Sequence, residues 1–231
     1  MPMPMPMPMP MPMPMPMLKT LWVLALACAA APSLRAQAPP LPPREWRFEA
    51  RLDGEPIGEH VFRLSAGAQG LQLASDARFT VRVLGIPVYR YRHQAHEQWQ
   101  GGCLASLRSD TEDGGKPSSV RAAPAEGGLR VDAPAPGRLL PGCVMGFAYW
   151  HPAMRRQAQL LDPQTGQLEP VRIQQLEAGT VDVRGAPVAA VRWRIALRDQ
   201  AIDVWYAAAG DDWLGLDSSL AGGRRLSYRL R

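Results

Sequence analysis

From Trp46 onward the chain alternates apolar and polar residues with a period of two, and nothing else in it restricts the fold as strongly. A strand sends successive side chains to opposite faces, so this period is that of a sheet with one face buried. In WRFEARL, Trp46, Phe48, Ala50 and Leu52 point one way while Arg47, Glu49 and Arg51 point the other. Asp53-Gly54 is a hairpin turn signal, after which EHVFRL sets Phe62 and Leu64 inside. GLQLAS is a further strand, and ARFTVRV then opposes Phe79, Val81 and Val83 to Arg78, Thr80 and Arg82. Late in the chain Val191, Trp193, Ile195 and Leu197 oppose Arg192, Arg194 and Arg198, and LSYRL alternates again.

Short strands with Gly- and Asp-rich turns predict a mainly β protein, an antiparallel meander forming a barrel or half-barrel, with a two-layer sandwich as the alternative. One short helix is expected in HPAMRRQAQLL (residues 151–161), where Pro152 sits near a first helical turn and the run ends at Asp162-Pro163. The stretch from Thr111 to Pro141, rich in Gly, Pro and Ala, reads as loops with weak strands.

Ahead of the strands lie three segments of different character. Residues 1–16 are eight Met-Pro dipeptides, which form neither helix nor ladder because proline fixes φ and lacks an N–H. They read as an over-extended start, with Met17 as the initiator. Residues 17–36 combine Lys19, the apolar run LWVLALACAAA and small residues, the grammar of a secretory signal peptide cleaved after Ala36. Cleavage after Ala38 would leave Pro39 at the new terminus. ALAC, ending at Cys28, is a weak lipobox, so lipid anchoring there is the lesser alternative. Residues 37–44 form a Pro-rich linker, and residues 45–231 a single β-rich domain. A periplasmic location follows from this leader.

With the leader removed, Cys103 and Cys143 remain, and an even pair in an exported chain is expected to be one disulfide. Closing a loop of about 40 residues contributes on the order of 3–4 kcal/mol in the chain-entropy model. The formal charge of +5 falls to +3 once Lys19 and Arg35 are gone. That is too mild to argue for a nucleic-acid partner, and export argues against one. Lys19 and Lys116 are the only lysines, so the positive charge is almost all arginine, as in a GC-rich gene.

Catalytic motifs are missing: the chain has no G-x-S-x-G, no phosphate-binding Walker loop, no G-x-G-x-x-G and no H-E-x-x-H. His93 and His96 fall on opposite faces of a strand, which makes them a poor metal pair, and His151 has no partner at a diagnostic spacing. The doublets Glu112-Asp113 and Asp211-Asp212 lie in turn-like stretches. The chain is therefore read as non-enzymatic, with no catalytic residue, cofactor or metal expected. The aromatic supply is the remaining signal: Tyr89, Tyr91, Trp99, Tyr149, Trp150, Trp193 and Trp205 are candidates to line an apolar ligand cavity. Arg78, Arg82, Arg90, Arg92, Arg192 and Arg194 are candidates for a basic face.

LGIPVYRYRHQAHEQWQGGCL, SDTEDGGKP, CVMGFAYWHPAM, LLDPQTGQLEPV, IDVWYA and GDDWLGLDSSLAGGRRLSYRL form an ordered series. Together they resemble a family of small exported proteobacterial proteins known only as a domain of unknown function. The resemblance covers roughly Trp46 to Arg231 and implies a periplasmic, mostly β protein with no assigned activity or catalytic residues. The plan is also similar, as architecture alone, to lipoprotein-localisation half-barrel carriers, in which a curved sheet wraps a helix and holds acyl chains. Three functions follow in order: a carrier or binding module for an apolar or lipid-like ligand, an envelope structural or interaction protein using the arginine face, and a hydrolase with paired carboxylates. The expected partners are accordingly a lipid or another apolar ligand, or envelope components.

Overall fold

The computed structural model describes residues 42–134 and 137–231. The Met-Pro tract, the leader with Cys28, and most of the Pro-rich linker lie outside the described residues.

The strands are β1 (Arg44–Leu52), β2 (Glu55–Gly67), β3 (Gly70–Val83), β4 (Ile86–Gln100), β5 (Cys103–Asp113), β6 (Lys116–Ala125), β7 (Gly128–Asp132) and β8 (Arg138–Pro141). After a connecting segment that holds β9 (Gln159–Leu161) and β10 (Leu168–Pro170) come β11 (Arg172–Val183), β12 (Ala186–Ala196), β13 (Ala201–Ala207), β14 (Trp213–Ser219) and β15 (Arg225–Leu230). Thirteen of them form one antiparallel sheet in the order β11-β12-β13-β14-β15-β1-β2-β3-β4-β5-β6-β7-β8, while β9 and β10 pair separately. The first and last strands meet at its middle, Phe48 opposite Leu230 and Leu52 opposite Leu226. Each further strand is added outward by a hairpin, so the meander grows from both sides of that seam. The architecture is the expected β meander, open along its edges β8 and β11 and barrel-like in its curvature.

An antiparallel sheet this wide cannot stay flat, because strand twist accumulates across it. It curls around the connecting segment Gly142–Val171, which fills the inner face with Val144, Met145, Ala148, Met154, Leu160 and Leu161. The alternation supplies the other half of this core: Trp46, Phe48 and Ala50 from β1, Phe62 and Leu64 from β2, and Ile202, Val204 and Tyr206 from β13. Phe48 sits at its centre, its ring centroid 4.4 Å from Trp213, which in turn lies 4.9 Å from Phe62. The segment is tied to the sheet by backbone bonds from Leu104 N–H to Val144 C=O and from Leu161 N–H to Met145 C=O (both 2.8 Å). Cys103 at the start of β5 is bonded to Cys143, closing the expected disulfide with a Cα–Cα separation of 5.2 Å.

Two expectations need correction. The helix foreseen over residues 151–161 is only a 3₁₀ turn, Pro152–Arg156, which gives way to β9. His151 caps it, with Nδ1 accepting from Ala153 N–H (3.1 Å), but burial of Leu160 and Leu161 against the sheet favours extended backbone beyond Gln157. The stretch Thr111–Pro141 is not mainly loop: it holds the end of β5 and all of β6, β7 and β8. Its glycines turn hairpins rather than break strands, and Val120, Ala122, Leu129 and Val131 are fully buried between them. Among the described residues, no helix is long and apolar enough to cross a membrane.

Candidate functional site

The seven aromatic candidates do not converge on one cavity. Trp99 is buried, edge-on to Trp150 (5.5 Å) and stacked near His151 (6.2 Å). Tyr149 and Trp150 belong to the connecting segment itself and so fill the half-barrel rather than wall it. The backbone carbonyl of Tyr149 accepts from Tyr206 Oη (2.7 Å), and its ring lies 5.2 Å from Trp213. Trp193 lies under the Arg155 guanidinium, 5.2 Å from its centroid. Tyr91 stacks on Phe79 (5.2 Å) and donates to Gln164 Oε1 (2.8 Å). Tyr89 is exposed at the far end of β4. Trp205 faces the opposite side of the sheet from its neighbours Val204 and Tyr206. It packs there with Val181, Ala190 and Leu214 in a second, smaller core, because β11 and β12 fold back over that face. Arg184 N–H donates to Leu230 C=O (3.1 Å) at the same place, bringing the β11–β12 turn against β15.

Two ionisable groups that the motif search passed over lie on the inner face. Glu97 shares the inward parity of Tyr91, His93, Ala95 and Trp99, and its carboxylate accepts from Trp99 Nε1 (2.8 Å). Burial between Leu73 and Leu107 lifts it to about 7, against the partial opposing effect of that one hydrogen bond. His60 stacks on Phe62 (3.9 Å), shares a hydrogen bond with Tyr228 Oη through Nδ1 (3.2 Å), and is held neutral by burial down to about 3. The signal for Glu97 was its place in the alternation, a carboxylate in a row otherwise aromatic or apolar. His93 is buried, paired with Thr111 Oγ1 (2.8 Å), and His96 is exposed, as the two-face argument requires. Among the described residues, no group of three or more His, Cys, Asp or Glu side chains is placed to hold a metal.

The six arginines of the anticipated basic face fall into two unlike sets. Arg192 and Arg194 on β12 both engage Asp203, the latter through two bonds of 2.7 and 2.8 Å. Arg78, Arg82, Arg90 and Arg92 lie on β3 and β4, far along the meander. Arg78 chelates Asp76 (2.9 Å), and Arg82 donates to Gly85 C=O (3.2 Å). Arg90 and Arg92 make no ion pair among the described residues. Beneath Arg78 and Arg92 runs an open outer groove of about 770 Å³, lined also by Asp76, Gln94, Asp110 and Glu112.

The β3–β4 hairpin overshoots its neighbours. Pairing with β2 ends at Phe79 opposite Gly58, and pairing with β5 ends at Tyr91 opposite Asp113. Residues Val81–Tyr89 therefore project as a two-stranded arm, held laterally only at its root, where Arg90 C=O accepts from Gly114 N–H (2.9 Å) and Tyr89 Oη donates to Asp113 (2.6 Å). Every residue from Arg82 to Arg90 is exposed, including Leu84 at 96 % and Ile86 at 66 %. Val83, expected inside, is exposed because there is no sheet left to cover it. The turn is Leu84-Gly85, with φ of +50° and +83°. Gly85 adopts that conformation freely, but Leu84 must hold a left-handed backbone that a γ-branched L residue resists. Of the seven exposed large hydrophobic side chains among the described residues, five (Val83, Leu84, Ile86, Val88 and Tyr89) are on this arm.

Comparison with known proteins agrees with this architecture. The crystal structure of a β-barrel-like protein of the domain of unknown function DUF1849 from Brucella abortus superposes with a TM-score of 0.58 at 12% identity, over 82% of this chain and 95% of that one. Comparison with curated proteins finds no match. The model of the domain of unknown function DUF6134 matches residues 48–231, nearly the whole sheet from β1 to β15. The chain belongs to the DUF6134 family.

Proposed function

We propose that this is an exported, non-enzymatic binding protein of the cell envelope, and that it works from its surface through the β3–β4 arm. The observation that carries this reading is the concentration of exposed apolar side chains on one projecting hairpin. Soluble proteins scatter such residues singly, and a cluster of them marks a contact site. The arm is also the part of the sheet least needed for the core, since neither β2 nor β5 pairs with it beyond Phe79 and Tyr91. The test is fractionation of cells expressing the full chain or the double variant Leu84→Glu/Ile86→Glu. The parent is expected with the envelope fraction and the variant in the soluble fraction, at equal abundance and with the disulfide intact. Equal partition of the two overturns the reading.

The alternative of an enclosed apolar ligand draws support from the aromatic side chains Tyr91, Trp99 and Trp193 on the inner sides of β4 and β12. A ligand there must displace Gly142–Val171, whose Met154, Leu160 and Leu161 are fully buried. Lipid in stoichiometric amount in native mass spectra of envelope-purified protein would favour this alternative over the surface reading.

A further inference from the structure

Between Asp76 and Glu97 the chain carries four arginines, Arg78, Arg82, Arg90 and Arg92, and no carboxylate. Arg78 stands directly opposite Arg92 across the β3–β4 ladder, a like-charge pairing that a sheet ordinarily avoids. Asp76 answers Arg78 on its own strand, and Glu112 is the ladder neighbour of Arg92 on β5. Toward the tip, Arg82 and Arg90 have no such compensation among the described residues. The arm is thus apolar at its end and basic along its shaft, with Tyr89 between the two zones donating to Asp113 (2.6 Å).

We infer that the tip of the β3–β4 arm seats in the interfacial region of a bilayer rich in anionic lipid, an inference that rests on the arm being the working surface. Val83, Leu84, Ile86 and Val88 enter below the headgroups, and Arg82, Arg90 and Arg92 meet the lipid phosphates around and above them. The dimensions agree. Three residue pairs beyond the last lateral backbone bond, at about 3.3 Å each, give the arm a reach of roughly 10 Å. Apolar faces of membrane-surface elements sink about 5–10 Å, which leaves the basic shaft at headgroup height. Tyr89 then lies at the level where tyrosines collect on membrane proteins.

Charge selects this occupant over a protein groove. Arginines without fixed carboxylate partners on a narrow, two-stranded support suit a diffuse anionic layer. A protein partner would have to present matched carboxylates at set positions and still cover a tip only four side chains wide. The backbone of Leu84 points the same way. Asp53 and Arg184 also have positive φ, at +53° and +55°, but Asp53 binds Arg225 N–H and Arg184 N–H binds Leu230 C=O. Leu84 accepts the same strain and presents nothing but an isobutyl group to solvent.

The experiment is flotation of the purified, oxidised protein with vesicles of phosphatidylglycerol and phosphatidylcholine, and with vesicles of phosphatidylcholine alone. Binding is expected only to the anionic vesicles and is expected to fall steeply with added salt. Each arginine near an anionic leaflet is worth about fivefold in affinity, so Arg90→Gln/Arg92→Gln should lose more than tenfold. Leu84→Glu/Ile86→Glu should abolish binding while leaving circular dichroism unchanged. A fluorophore sensitive to polarity on Leu84→Cys should brighten and shift to the blue with anionic vesicles; an unchanged spectrum overturns insertion. Equal binding to both vesicle types, or parent-like binding by the Leu84→Glu/Ile86→Glu variant, overturns the inference outright. If vesicles fail while partition to the envelope still depends on the arm, lipid docking falls and the surface reading stands. If partition does not depend on the arm, the surface reading falls as well.

Discussion

Two stretches of this chain, ARFTVRVLGIPVYRYR (77–92) and AVRWRIALRDQAIDVWYA (190–207), share one grammar, and the fold treats them in opposite ways. Both are hairpins with arginine on one face and aromatic or aliphatic side chains on the other. In the second, the two arginines within β12 are answered: Arg192 and Arg194 close on Asp203, and from neighbouring β15 Arg225 and Arg229 close on Asp217, which also accepts from Trp205 Nε1 (2.8 Å). Val181 and Leu214 pack with Trp205 on the same face, and the two carboxylates are largely buried there beneath part-exposed arginines. In the first, Arg78 alone closes on a carboxylate, that of Asp76, while Arg82, Arg90 and Arg92 make no ion pair among the described residues. On the same strand β4, the inward Glu97 is a carboxylate without an arginine, held only by an indole N–H. The comparison separates charges that build the sheet from charges the sheet only displays.

The largest effect is expected where charge is structural. Asp217 is almost fully buried, so Asp217→Ala strands Arg229, three-quarters buried itself, and frees the Trp205 indole. A loss of about 3–4 kcal/mol is expected in urea unfolding, as for other broken buried pairs. A loss below about 1 kcal/mol would place these arginines in the displayed class and break the comparison. Next comes the root of the arm: Phe79→Ala removes a buried ring stacked on Tyr91 and should cost about 3 kcal/mol. Hydrogen exchange should then rise in the arm and in its neighbours β2 and β5, but not around Trp205.

Glu97 sharpens the contrast through pH. Its carboxyl is raised from the ordinary 4.5 to about 7 because burial penalises the charged form. Between those values the folded state holds a proton that the unfolded state has released, so stability falls as pH rises from about 4.5 through 7. The loss is on the order of 2–3 kcal/mol and complete above 7. Glu97→Gln should remove this slope and stabilise the protein at alkaline pH, as read by urea midpoints across the range. A variant with the parent's slope would show that the carboxylate is solvated.

Much of the sheet was legible because period two reports one buried face, and Trp46, Phe48, Phe62 and Phe79 lie where alternation puts them. The disulfide was legible from an even pair of cysteines. Alternation does not report where a neighbouring strand ends. Val83 continues the inward row of Phe79 and Val81, yet pairing with β2 has ended at Gly58 and with β5 at Asp113, so nothing covers it. Trp205 fails for the related reason that a curled sheet buries both faces where it folds on itself, which a one-sided pattern cannot express. The aromatic residues Tyr149 and Trp150 looked like cavity walls because aromatic supply identifies burial but not which layer provides it. The 3₁₀ turn at Pro152–Arg156 kept the helical spacing for only one turn, after which Leu160 and Leu161 were claimed by the core.

The smallest expected effect bears most directly on the displayed charges and the tip between them. Leu84 occupies the first position of a turn that favours asparagine or glycine, since both central residues have positive φ. It is also 96 % exposed, so its side chain contributes no packing in return. Leu84→Asn should therefore stabilise the protein by about 0.5 kcal/mol, the fraction of left-handed strain that asparagine avoids. The measurement is a paired thermal and urea melt of parent and variant under oxidising conditions. A destabilised variant would mean that Leu84 has structural neighbours, and the arm would then belong with Asp203 and Asp217 among the parts that build the sheet. A stabilised variant that also leaves the envelope fraction would mean that the leucine is held at the tip at a cost to the fold. Such a trade of stability for contact is the behaviour of a binding element and not of a turn whose only task is to reverse the chain.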